Sequence, residues 1–101
     1  MGIAQWMSVD VKERLKSGKP LQIIDVRQPG EFRSGHIPGA KLIPLGDLPQ
    51  RYREIDPNVD SVIVCHSGGR SSSACGFLQR MGYEKIHNLM GGMSAWDGEV
   101  E

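Results

Sequence analysis

The chain of 101 residues is short of several things at once. It has no excess of either charge, with 12 Lys+Arg against 12 Asp+Glu. No basic surplus points to nucleic acid, and no Lys/Arg-rich run points to an anionic membrane surface. No apolar stretch approaches the roughly 20 residues of a membrane-spanning helix. There are two cysteines and three scattered histidines. One cysteine pair is too little for a disulfide scaffold in an otherwise ordinary globular composition, so free thiols are expected. A Cys-rich zinc site is excluded on count. The first residues, Met1-Gly2-Ile3-Ala4-Gln5-Trp6, lack the basic start and apolar core of a signal peptide, and Trp6 stands where a myristoylation signal carries Ser or Thr. The expected residence is the cytoplasm, without membrane or nucleic-acid partners. The length suits one domain with one modest core.

What remains is an alternation of strand-like and helix-like segments with no internal repeat. Ser8 is placed to cap a helix through about Lys16, with Asp10 in its first turn and Gly18 just past its end. Leu21 to Val26 reads as a buried strand, and Pro29-Gly30-Glu31-Phe32 as a turn or short helix. Residues 35–40 form a Pro/Gly loop, and Lys41-Leu42-Ile43 a short strand. Leu45 to Tyr52 has helical character that Pro49 prevents from being one long helix. Ser61-Val62-Ile63-Val64 is the clearest central strand. Ala74, Leu78 and Met81 fall at i, i+4 and i+7 in a helix predicted over Ser72 to Met81 and ended by Gly82. Lys85 to Leu89 is a further strand, and Gly91-Gly92 precedes a short helix from Met93 to Trp96. Strands alternating with helices predict an α/β fold with a parallel sheet. Ligand sites in such sheets lie beyond the carboxyl ends of the strands. Two strand ends carry polar chemistry, Asp25-Val26-Arg27 and the segment from Cys65 to Arg70, and neighbouring strands would bring them to one crevice.

The run Val62-Ile63-Val64-Cys65-His66-Ser67-Gly68-Gly69-Arg70-Ser71 is the most informative stretch. An apolar strand ends in a cysteine, a glycine-containing loop follows, and serines open a helix. A thiol is a nucleophile only as thiolate, and inward backbone N–H groups, a helix N-terminus and a nearby cation all favour that form. The polar and glycine residues from 66 to 70 argue for a functional Cys65 over a buried structural one. Arg70 at a helix start opposes the macrodipole, so it faces an anionic ligand or pairs with an acidic neighbour. Cys75, inside the predicted helix, reads as a small apolar core residue ahead of a resolving cysteine.

Asp25 and Arg27 read as an ion pair holding the loops ahead of direct catalysis. His36, in the Pro/Gly loop, reads as a loop-stabilising hydrogen-bond partner ahead of a general base. His66 either meets a substrate or faces solvent. His87 reads as structural, and Trp96 as core or pocket wall.

These pieces, in this order, resemble the rhodanese (sulfurtransferase) family. The matching residues are Ile24-Asp25-Val26-Arg27, Glu31-Phe32, Gly35-His36-Ile37-Pro38-Gly39-Ala40, Cys65-His66-Ser67-Gly68-Gly69-Arg70-Ser71 and Gly91-Gly92-Met93-Ser94-Ala95-Trp96. The resemblance implies a single rhodanese domain over residues 1–101, a three-layer sandwich with a central, mostly parallel sheet flanked by helices. It implies that Cys65 takes a sulfane sulfur from a donor such as thiosulfate, holds it as a persulfide, and passes it to cyanide, a thiol or a protein acceptor. The loop residues His66, Ser67, Gly68, Gly69, Arg70 and Ser71 would surround that sulfur, with Asp25, Arg27 and His36 behind them. Neither metal nor organic cofactor is implied. Thiosulfate-specialised members often carry two basic residues directly after the cysteine, whereas His66 and Ser67 stand here, which leaves the donor open.

Two rivals stand against this reading. Cysteine phosphatases use Cys, five residues, then Arg, whereas only four residues separate Cys65 from Arg70 and Ser71 holds the next position. A shorter loop makes a tighter cradle, suited to one sulfur ahead of a tetrahedral phosphate. Regulatory modules that use the fold without turnover often lack the cysteine, which is present here.

Overall fold

The computed structural model describes residues 2–101. Five strands form one sheet: β1 (Gln5–Trp6), β2 (Gln22–Asp25), β3 (Lys41–Leu42), β4 (Ser61–Val64) and β5 (Ile86–Leu89). Their order across the sheet is β1-β5-β4-β2-β3, and every pairing is parallel. The sheet is therefore wholly parallel where a mostly parallel one was expected. Helices α1 (Ser8–Ser17), α2 (Pro29–Arg33), α3 (Leu48–Arg51) and α4 (Gly69–Arg80) fill the crossovers, and α5 (Gly92–Ala95) follows β5. Among the described residues, no helix is long and apolar enough to cross a membrane.

The central strands are buried on both faces, which is why they read as unbroken apolar runs. Successive side chains nevertheless alternate between two cores. Ile24, Ile63 and Cys65 join Ala74, Cys75, Leu78, Tyr83 and Leu48 on one face. Ile23, Val62 and Val64 join Val11, Ile37 and Leu89 on the other, with Trp6 and Trp96 packed against them. These two cores make the three-layer sandwich. Pro49 lies in the first turn of α3, where a missing N–H costs nothing, and short 3₁₀ turns at Leu45–Asp47 and Tyr52–Glu54 flank it.

Three sequence expectations shift. Strand β1 was not foreseen, because two residues carry no periodicity and this edge pair exists only through its ladder with Asn88 and Leu89. Helix α1 starts one residue earlier than a Ser8 cap requires: Met7 is at the cap position, and its N–H donates to the Asp10 carboxylate at 2.7 Å. Ser8 instead binds Asp97. Helix α4 begins at Gly69 where Ser72 was predicted, so Arg70 and Ser71 belong to its first turn.

The register Asp25↔Val64 aligns the ends of β2 and β4. Beyond them, Val26 N–H donates to the Val64 carbonyl at 2.9 Å. Asp25 and Arg27, respectively 1% and 5% exposed, form an ion pair there. Arg27 Nε and Nη2 donate to the two Asp25 oxygens at 2.9 and 2.8 Å, and Nη2 also reaches the Gly35 carbonyl at 2.8 Å. Removing one partner strands a buried charge, which typically costs several kcal/mol. Asp25→Asn is expected to lower unfolding stability by about 3 kcal/mol in urea denaturation, with an unchanged denaturant slope.

Candidate functional site

Cys65 directly follows the last residue of β4, and alternation along that strand turns its side chain toward α4. The residue is only 1% exposed, so a reagent meets the sulfur only through the loop that covers it. That loop curls because Gly68 adopts φ +105°, a left-handed conformation open to glycine at little cost. The curl carries the Gly68 N–H to 3.0 Å from Sγ. Helix α4 then starts at once, with its positive end beside the sulfur.

The orientation of these peptides is held from behind. The Cys65 carbonyl accepts from Met93 N–H at 2.8 Å, and the His66 carbonyl accepts from Ser94 N–H at 2.9 Å. Both donors lie in the first turn of α5, whose N–H groups have no partner within the helix. Gly92 is what permits the approach. A β-carbon there would collide with the Cys65 carbonyl oxygen and stand 2.7 Å from the His66 carbonyl carbon. With the carbonyls drawn outward to α5, the N–H side of the loop faces the sulfur.

Ser71, buried in the first turn of α4, supplies the side-chain contact: its Oγ lies 3.4 Å from Sγ. Ser71 Oγ is also in short contact with Asn88 Oδ1, so the hydroxyl's single proton serves either Asn88 or the sulfur. Asn88 Nδ2 in turn donates to Gln5 Oε1 at 2.8 Å, so the polar chain crosses β5 to β1. Burial pushes the Cys65 thiol up. The Ser71 hydroxyl and the N–H groups of Ser71, Gly68 and Ser67 outweigh it and bring the thiol below its ordinary value. Cys75 has burial alone, which pushes it up to about 12. Both cysteines are free.

Arg70 does not reach over the sulfur as an open cation. Its Nη1 and Nη2 donate to the two carboxylate oxygens of Glu31 at 2.7 and 2.8 Å. Hydrogen bonding from Arg70, then from the Gln28 N–H, holds the Glu31 carboxyl down at about 2. Glu31 thus caps α2 and answers the charge that Arg70 places at the wrong end of α4. His36 stacks on Phe32 with ring centroids 3.7 Å apart, and its Nδ1 meets the Phe32 carbonyl at 2.9 Å. Its role is in the α2 loop. His66, Ser67 and Gly69 are exposed on the outside of the cysteine loop. His87 stacks on Trp6 with Nδ1 3.1 Å from the Ser61 carbonyl. Trp96 lines a groove of about 660 Å³ together with Val9, Leu15 and Pro38; no residue of the cysteine loop borders it.

Two residues of this arrangement escaped the sequence reading as site residues. Glu31 was signalled indirectly, since an arginine at a helix N-terminus requires an anion close by. Asn88 was signalled only as one of two polar residues in the strand Ile86–Leu89. Gly92 was legible as part of a motif, but its reason was not, because that reason is contact with Cys65 and His66, far away in the chain.

The arrangement brings N–H donors, a hydroxyl and a helix N-terminus to one thiol whose pKa they lower, a setting that could hold a single anionic sulfur. Comparison with known proteins gives the family. The Rhodanese-like domain family matches residues 8–99. A sulfurtransferase of Allochromatium vinosum is 39% identical over 89 residues, which is 88% of this chain and 83% of that protein. YrkF of Bacillus subtilis, whose name describes a candidate sulfur carrier, is 39% identical over 90 residues; these make up 89% of this chain but 49% of that relative. The crystal structure of a rhodanese-like domain protein from Staphylococcus aureus superposes with a TM-score of 0.91 at 36% identity, covering 98% of this chain and 97% of that one.

The geometry predicts unequal thiols. Site-resolved iodoacetamide labelling across pH is expected to show Cys65 reacting with a midpoint below the ordinary free-thiol value of about 8.5. Cys75 is expected to stay unlabelled until the protein unfolds. Gly92→Ala is expected to move the Cys65 midpoint upward, because α5 is pushed off the two carbonyls that orient the loop.

Proposed function

We propose, for a chain that belongs to the rhodanese-like domain family, that Cys65 is the sulfur-carrying nucleophile of a sulfurtransferase. Relatives bearing that name support the general role. The observation that carries the residue assignment is the convergence of the Gly68 N–H and the Ser71 hydroxyl on Cys65 Sγ.

In the first half-reaction the Cys65 thiolate attacks the outer sulfur of a sulfane donor such as thiosulfate. A bond forms between the two sulfurs, the donor's own S–S bond breaks, and sulfite leaves with the electron pair. The product is a Cys65 persulfide with its negative charge on the terminal sulfur. The N–H groups of the loop and the α4 N-terminus stabilise that charge without donating a proton that would quench it. In the second half-reaction a nucleophile such as cyanide or a thiol attacks the terminal sulfur, and Cys65 departs as the thiolate that the same donors already favour. Nothing in either step needs a metal or an organic cofactor. His66, Ser67 and Gly69, exposed around the mouth, would meet the donor or acceptor, and the acceptor can be a protein as well as a small molecule. A pair of free cysteines suits the reducing cytoplasm expected from the sequence.

The test is intact mass spectrometry after incubation with thiosulfate. One added sulfur atom on Cys65, removed by cyanide with release of thiocyanate, is the expected result. Cys65→Ser should abolish both the adduct and turnover while retaining the fold, and Cys75→Ser should keep most of both. Turnover that survives in Cys65→Ser would sink the assignment. Hydrolysis of aryl phosphates is expected to be negligible beside sulfur transfer, since the loop is one residue short for phosphate.

A further inference from the structure

Two guanidiniums stand beside the cysteine loop, and neither is available to a ligand as an unpaired charge. Arg27 is bound by Asp25 in a buried pair, and Arg70 is bound by Glu31 through both of its terminal nitrogens. The four groups carry no net charge between them. The Arg70–Glu31 pair is half-exposed, each side chain at 36%, so it lies at the surface where a donor would enter. Arg70 also interacts electrostatically with Cys65 and Asp25, and Glu31 with Arg27, so the pairs and the sulfur act as one set. The exposed residues that follow Cys65 are His66 and Ser67, which add no permanent cation.

A dianion that approaches this mouth therefore gains little attraction and meets the negative charge of the thiolate itself. We infer that Glu31 is a specificity-determining residue: by holding Arg70 it tunes the mouth to organic sulfane donors with one negative charge or none, over the dianion thiosulfate. The donors meant are persulfides of thiols and thiosulfonates, whose outer sulfur is bonded to a group that ends in carbon. The step balances in either case. With a persulfide R–S–SH, the Cys65 thiolate bonds to the outer sulfur and the donor's S–S bond breaks. R–S⁻ leaves with the electron pair and takes up the proton, and Cys65–S–S⁻ remains. With methanethiosulfonate the leaving group is methanesulfinate. Glu31 touches no reacting atom and acts only through Arg70.

The donor preference rests on the sulfur-transfer reading above, whereas the charge effect does not. Two donors differing by one charge separate the variables: thiosulfate and methanethiosulfonate. Rates of sulfur loading onto Cys65 are measured at pH 8 and low ionic strength in wild type, Glu31→Gln, Arg70→Gln and the double variant. Gln at 31 can still accept from the Gln28 N–H, so the α2 cap survives the substitution. Freeing one guanidinium several ångströms from the entering donor is expected to raise the thiosulfate-to-methanethiosulfonate rate ratio roughly five- to tenfold in Glu31→Gln. The gain should shrink at high ionic strength, as an exposed charge effect must. Arg70→Gln should lower the ratio, because it leaves Glu31 unanswered, and the double variant should return toward wild type. A ratio unchanged or lowered in Glu31→Gln overturns the inference. If wild type loads from neither donor, the sulfur-transfer reading fails, and the iodoacetate-to-iodoacetamide alkylation ratio of Cys65 in the same variants decides the charge effect alone. Glu31→Ala provides a second removal of the carboxylate, and the same rise in ratio is expected from it.

Discussion

The docking of α5 onto the cysteine loop is the contact on which the site depends. Two N–H groups at the start of a helix of four residues hold the carbonyls of Cys65 and His66. A peptide plane has two sides, so fixing the carbonyl on one side fixes the N–H on the other. The loop's donors converge on Sγ because its acceptors are occupied elsewhere. The same two bonds satisfy the first N–H groups of α5, which would otherwise lack partners. Gly92 makes the approach possible, and no larger residue leaves room for the Cys65 carbonyl. The helix is too short to be stable alone, and the carbonyls it binds are part of what keeps it in place.

Charge is handled in the same paired manner. Each cation near the sulfur faces its own carboxylate: Arg27 faces Asp25 in the interior, and Arg70 faces Glu31 at the surface. The buried pair ties the end of β2 to the loop at Gly35. The surface pair ties α2 to the first turn of α4. Both pairs serve the geometry of the crevice, and both reduce its net attraction for anions. Anion stabilisation at Cys65 is thereby left to dipoles, the N–H groups and the Ser71 hydroxyl, which act at contact distance and lend little long-range steering.

The two cysteines illustrate how little composition says about reactivity. Both are buried, and both touch the same apolar cluster. Cys75 lies in the second turn of α4, where its backbone N–H belongs to the helix and its side chain joins the apolar core, so burial alone acts on it. Cys65 lies just past a strand end, where the backbone has left the ladder and its N–H groups are free to face a side chain. Ser71 divides its attention between Cys65 and Asn88, so the thiol's environment is linked through Asn88 and Gln5 to the edge of the sheet.

Local pattern determined a large part of this protein. The β-branched runs at Ile23-Ile24 and Val62-Ile63-Val64 marked strands buried on both faces, because only such strands lack a polar alternation. Alternating strands and helices fixed a parallel sheet, which placed the ends of β2 and β4 together and brought Asp25, Arg27 and Cys65 to one edge. The position of Cys65 between a strand and a glycine loop was legible for the same reason: backbone conformation is encoded over a few residues. What the chain did not disclose lay in contacts between residues distant in sequence. The edge strand Gln5–Trp6 exists only because β5 pairs with it. Arg70 needed an anion, but Glu31, 39 residues away, could be identified only once α2 and α4 stood side by side. The start of α4 at Gly69 followed from the turn at Gly68 closing around Sγ, which overrode the serine preference that placed the start later. Tertiary structure decided these points because hydrogen-bond partners and counter-charges are selected by distance in space, and sequence spacing records that distance only within single elements.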